Sequence, residues 1–163
     1  MDLKQIILDL EDSDEFKQWK NNHSGFFLAH VFVMLDEVNK DVFQVGFYNS
    51  KTEKMTTFII ENKKISLIED QEILKSEGAI EELIIDNIKT SVEDALLASN
   101  KIKNDKYKNE MIAKKFFIVQ KTDLGDIFNI TFFTASFKTI NIKISTVDCT
   151  VLKESISDLM TFG

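Results

Sequence analysis

The chain offers few groups able to do chemistry: two histidines, His23 and His30, one cysteine, Cys149, and 27 carboxylates in 163 residues. The histidines lie seven residues apart, without a cysteine or a neighbouring carboxylate on the same element, so they do not compose a metal-ligand set. His23 falls in the polar stretch Asn21-Asn22-His23-Ser24-Gly25, where a helix ends and a ring nitrogen can cap it. His30 interrupts an apolar strand and reads as a hydrogen-bonded core or interface histidine. Cys149 sits in a hairpin turn. A cysteine nucleophile needs a base beside it, and no sequence feature brings either histidine there. Ser24-Gly25 and Gly125-Asp126 are turns that match neither a phosphate-binding loop nor a nucleophile elbow. The acidic groups Asp12-Ser13-Asp14-Glu15 and Glu69-Asp70-Gln71-Glu72 lack the glycine-centred spacing of a calcium loop and read as solvated. Glu81-Glu82 cannot be assigned general acid and base roles without geometry. The reading is of a chain with no catalytic, cofactor-binding or metal residues, hence no enzyme.

Composition narrows the partners. The net charge of −7 opposes the counterion release on which nucleic-acid binding depends. The 20 basic residues are all lysine, so the guanidinium forks that grip phosphate or read guanine are missing. Lys101, Lys103, Lys106 and Lys108 cluster, but at the end of a helix where cations complement the free carbonyls. The longest apolar run, Phe26 to Leu35, is about half of a membrane span. Met1-Asp2-Leu3-Lys4 does not begin a secretory signal, and a lone cysteine suits a reducing compartment. The expectation is a cytoplasmic globular protein, monomer or homodimer, with a protein or peptide partner rather than nucleic acid or membrane.

The elements follow from periodicity. Leu3, Ile6, Ile7 and Leu10 form one helical face, and Phe16 and Trp19 continue it out of phase by about one residue. Ser13, followed by Asp14 and Glu15, reads as a fresh N-cap, so residues 2–22 are either two short helices or one kinked helix. Trp19 and Phe16 read as core. From Phe26 to Leu35 both parities are apolar, as in a central strand covered on both sides or one with half its surface facing a partner. Further strands are read at 42–48, 55–60 and 65–68, then at 115–121, 127–133, 139–145 and 150–156. Residues 69–89 read as either a helical turn or an extended crossing. Thr90-Ser91-Val92-Glu93 matches a capping box and opens a helix that ends over 104–109.

The halves are alike. Asp41-Val42-Phe43-Gln44-Val45-Gly46-Phe47-Tyr48 aligns with Asp126-Ile127-Phe128-Asn129-Ile130-Thr131-Phe132-Phe133. The fold expected is therefore α+β: two repeated units, each a helix plus an antiparallel four-stranded sheet, packed as one compact body, with units at 1–75 and 76–163. Face-to-face packing or joined edges would bury the 14 phenylalanines.

The second half resembles a PepSY-type unit. The likeness is carried by Thr90-Ser91-Val92-Glu93-Asp94-Ala95-Leu96, by 126–134, and by the closing hairpin from Ile142 to Leu152, where Ser145 and Cys149 stand at positions the family fills with Asp and Gly. With Trp19, Phe47-Tyr48 and the stretch Phe137 to Ile144, the chain is also similar to uncharacterised small archaeal proteins. The resemblance implies a cystatin-like α+β unit that binds or restrains peptidases, with no catalytic residues to transfer. The function expected is a non-enzymatic protein- or peptide-binding module with a protease-regulating role. The alternatives are a small apolar-ligand carrier and an enzyme with an unrecognised carboxylate site.

Overall fold

The structure, a computed structural model, describes residues 1–73 and 78–159. Two helices open the chain, α1 (Leu3–Asp12) and α2 (Asp14–Asn22). Ser13 makes the break between them. Its N–H and hydroxyl both donate to the Leu10 carbonyl, closing α1, while its Oγ accepts from Phe16 N at 3.2 Å and opens α2. One serine thus satisfies orphan groups at two helix ends, and the re-phasing of the apolar stripe follows. The other elements are β1 (Phe27–Met34), β2 (Val42–Asn49), β3 (Lys54–Glu61), β4 (Lys64–Glu72), a short 3-10 turn (Ile85–Asn87), α3 (Val92–Lys106), β5 (Ile112–Thr122), β6 (Gly125–Thr134), β7 (Lys138–Ser145) and β8 (Val151–Asp158).

The α+β class and antiparallel pairing hold, but the two-unit architecture does not. The strands form one continuous eight-stranded sheet in the order β4-β3-β2-β1-β5-β6-β7-β8, not two repeated helix-plus-four-strand units packed together. The cause is the central seam. β1 and β5 pair antiparallel from His30 opposite Gln120 to Met34 opposite Phe116, so neither strand keeps a free edge. A single core then runs the width of the sheet. It joins Leu3, Ile7 and Trp19 to Phe58 at one side and Val92 and Ala95 to Ile142 at the other. Among the described residues, α1, α2 and α3 all supply residues to this core, so they lie on one face, and no second layer of strands covers the other.

The seam explains why both parities of β1 are apolar. Val31 and Val33 are fully buried under the helices, while Phe32 and Met34 point to the opposite face and are half-buried. A bulge at Ala29 shifts the register between Leu28 and His30. Leu28 joins the helix-side core, and Ala29 packs with Tyr48 and Met55 on the opposite face.

After β4 at one edge the chain must return to the centre. Ile80 packs on the Ala29, Tyr48 and Met55 cluster, while Leu83 is buried on the helix side and donates its N–H to the Leu28 carbonyl at 2.8 Å. Residues 74–77 of the stretch left open between a turn and a crossing lie outside the described residues. Residues 69–72 belong to β4, and from Gly78, at a positive φ of 106°, the described chain has neither helix nor strand up to the 3-10 turn. At α3 the capping box is displaced by one position. Ser91, not Thr90, is the N-cap and accepts from Asp94 N at 3.0 Å, while Thr90 donates its hydroxyl to the Thr146 carbonyl. Glu93 instead takes the N-terminal ammonium of Met1.

Candidate functional site

The uncovered sheet face is built by strand alternation alone. Phe32 on β1, Phe116 on β5 and Phe133 on β6 stand in a row across it, with ring centroids 5.3 Å and 5.8 Å apart and tilted planes. All three are half-buried. Ile118 lies opposite Phe32, and Met34 opposite Phe116, which widens the row into an apolar patch. Beside it the face turns polar. Asn141 Nδ2 donates to Asn129 Oδ1 at 2.6 Å and to Thr131 Oγ1 at 3.0 Å, a fixed ladder across β6 and β7.

The charges on this face are mostly of one sign. Register puts Lys114 opposite Phe133, Lys143 opposite Asn129, and Lys153 opposite Lys143. Lys64 lies opposite Glu61 at the far edge. Like charges directly opposite one another repel. Among the described residues Lys114, Lys143 and Lys153 make no ion pair within 4.0 Å, although Asp36 at the β1–β2 turn lies near enough to Lys114 for the lysine to help hold its carboxyl low, behind its hydrogen bonds to Asn39.

Next to the patch a groove of about 730 Å³ runs under residues 78–81, with Ala29, His30, Met55, Gln120 and Lys143 along it. His30 is the groove's titratable ring. It lies over Gly46, where a β-carbon would come within 2.3 Å of its Cε1. Burial lowers its pKa below the usual histidine range, which keeps the ring neutral near pH 7. The hydrogen-bonded partner expected for it is not found among the described residues. Of the two carboxylates along the groove, Glu81 and Asp123, Glu81 pairs instead with Lys121 at 3.6 Å.

The other singled-out residues scatter. His23 caps α2, its Nδ1–H donating to the Trp19 carbonyl at 2.8 Å and its ring stacked on the indole, with Nε2 3.6 Å from Asp70. Trp19 is buried in the core and donates Nε1–H to Thr56 Oγ1. Cys149 adopts a positive φ of 60° in the β7–β8 turn and packs against the helix-side core. Among the described residues no group of three or more His, Cys, Asp or Glu is placed to hold a metal ion. Glu154 of β8 binds both Tyr107 and Lys106 and ties the end of α3 to the sheet edge. A second groove, about 610 Å³, lies on the helix side between α1 and the β2–β4 hairpins, with Ile6, Leu10, Phe43 and Ile60 along its floor and Asp9 and Lys63 at its rim.

Sequence reasoning did not pick out Phe32, Phe116 and Phe133, because a phenylalanine in an alternating strand reads the same on either face. The available signal was the doubly apolar β1, which implied that something lies against both of its sides.

No protein-family model matches this chain, and no curated protein matches it. The chain is similar to the crystal structure of a "putative lipoprotein" from Clostridium difficile 630, at 19% identity and a TM-score of 0.56, over 88% of this chain and 91% of that one. At that identity the likeness shows a shared fold. Among the described residues no helix is long and apolar enough to cross a membrane.

Proposed function

We propose that this chain is a non-enzymatic protein-binding module that takes its partner on the uncovered sheet face. The observation that carries the reading is the aromatic row Phe32–Phe116–Phe133, left beside water by a fold that puts all its helices on the other side. A contiguous apolar patch with a polar surround is the usual form of an interaction surface. The PepSY-type likeness of the second half supports the same class of function, a peptidase-binding or peptidase-restraining one.

Peptide addition to a sheet edge is the weaker route. β4 carries Lys64, Glu69, Asp70 and Glu72, and β8 carries Lys153, Glu154 and Asp158, the charged pattern that blunts edges. An apolar-ligand carrier would enclose its cargo, whereas the apolar groove on the helix side lies at the surface beside exposed Asp9 and Lys63.

The test is a pull-down from native cell extract with the wild-type chain and with a Phe32→Ser/Phe116→Ser/Phe133→Ser variant, read by mass spectrometry. One dominant protein retained by the wild type and lost by the variant is expected. Equal retention by both, or recovery of a small molecule alone, would overturn the reading.

A further inference from the structure

Resting on that reading, we infer that the partner presents an acidic protein surface, with apolar side chains that meet the aromatic row and carboxylates that meet the lysines around it. The strand positions of the open face carry Lys64, Lys114, Lys143 and Lys153 against one carboxylate, Glu61, while Asp36 lies beside Lys114 and Glu81, paired to Lys121, and Asp123 line the groove at its margin. The chain as a whole is at −7, so this face is charged against the trend of the molecule. Lys143 and Lys153 are held directly opposite each other on β7 and β8. That arrangement costs free energy in the isolated chain and is relieved by a carboxylate placed between them.

The same features decide among occupants. A second copy docked face to face would bring two lysine-rich strand faces together, with Glu61 the one carboxylate at their strand positions to offset them. A lipid surface would lay hydrocarbon on the Asn129, Asn141 and Thr131 ladder, whose remaining donors and acceptors find partners in a protein and none in acyl chains. A single-stranded nucleic acid needs free ring faces for stacking, but Phe116 is flanked by Phe32 and Phe133 in tilted contact, and arginine is absent from the chain.

The experiment is selection of random linear peptides displayed on phage by the full chain, by a Lys114→Glu/Lys143→Glu/Lys153→Glu variant and by the triple Phe→Ser variant. A Lys→Gln version of the first variant, with circular dichroism on all, guards against misfolding. Peptides enriched in Asp and Glu are expected with the wild type. Their binding should weaken about tenfold in the lysine variants and fall steeply with added salt. Peptides without acidic excess that still require the phenylalanines would overturn the acidic partner while leaving the face as the binding surface. Selection indistinguishable between the wild type and the Phe variant would overturn both. Lysine-dependent binding of phosphatidylglycerol vesicles or oligothymidine, with no acidic peptide selected, would overturn the protein partner.

Discussion

The imidazole of His30 occupies the space directly above Gly46, its partner across β1 and β2, so that a β-carbon at 46 would stand 2.3 Å from Cε1 and 2.7 Å from Nδ1. Neither residue is interchangeable alone. Gly46→Ala is expected to destabilise the chain by about 1–3 kcal/mol, because the ring must leave its place. In a His30→Ala background the same change should be neutral, or stabilising by up to about 1 kcal/mol, since the strand then gains a side chain and loses unfolded-state entropy. Urea denaturation of the four proteins measures the coupling, and an equal cost in both backgrounds would refute the packing.

His30 also sets a pH dependence. Its pKa is lowered by burial in the folded chain, while an unfolded histidine protonates near about 6.5. As pH falls below that value the unfolded state binds the proton and the folded state resists it. Stability conferred by the neutral ring is therefore full above about pH 6.5 and is lost as pH falls toward the folded pKa, with a slope of at most about 1.4 kcal/mol per pH unit. Melting temperatures measured from pH 7.5 to 5 should fall more steeply for the wild type than for His30→Asn. Parallel curves would show that the ring is not shielded.

The two faces of the sheet should answer differently to truncation. Phe58 is fully buried among Phe16, Trp19 and Phe47, and Phe58→Ala is expected to cost about 3–5 kcal/mol. Phe116 is half-buried on the open face, and Phe116→Ala should cost roughly half of that or less. Chemical denaturation separates them. A Phe116 cost equal to that of Phe58 would mean that the open face is structural core.

Tyr107 reports on the clasp between α3 and β8. Its hydrogen bond to Glu154, with added burial and the carboxylate charge, pushes its pKa up to about 12. Removing the charge with Glu154→Gln should bring it back toward about 10. Ultraviolet titration of the phenolate at alkaline pH follows the change. An unmoved titration would place Tyr107 away from the carboxylate.

Local signals were legible in the sequence and long-range ones were not. Ser13 announced the α1–α2 break because a serine followed by acids satisfies orphan amides locally. The eight strands were readable from alternation and turns. At Thr90–Glu93 the same reasoning missed by one residue, since the Thr146 carbonyl, distant in sequence, claims the Thr90 hydroxyl. The β1–β5 seam was not legible at all. Apolar parity shows that β1 has neighbours but not which strand supplies them, and that single pairing turns an expected pair of units into one sheet. The open aromatic face was hidden for the same reason. Phe116 and Phe117 differ only in parity, and a register fixed by tertiary pairing decides which of them meets water.

The charged outer strands have a consequence for the molecule in bulk. An array of eight hydrogen-bonded strands with two open rims is the kind of template that recruits more of itself, rim to rim, into ribbons. With Lys64 and Glu72 along one rim and Lys153 and Asp158 along the other, each sheet stops at its own outer strands, and concentrated solutions should hold discrete particles rather than growing filaments.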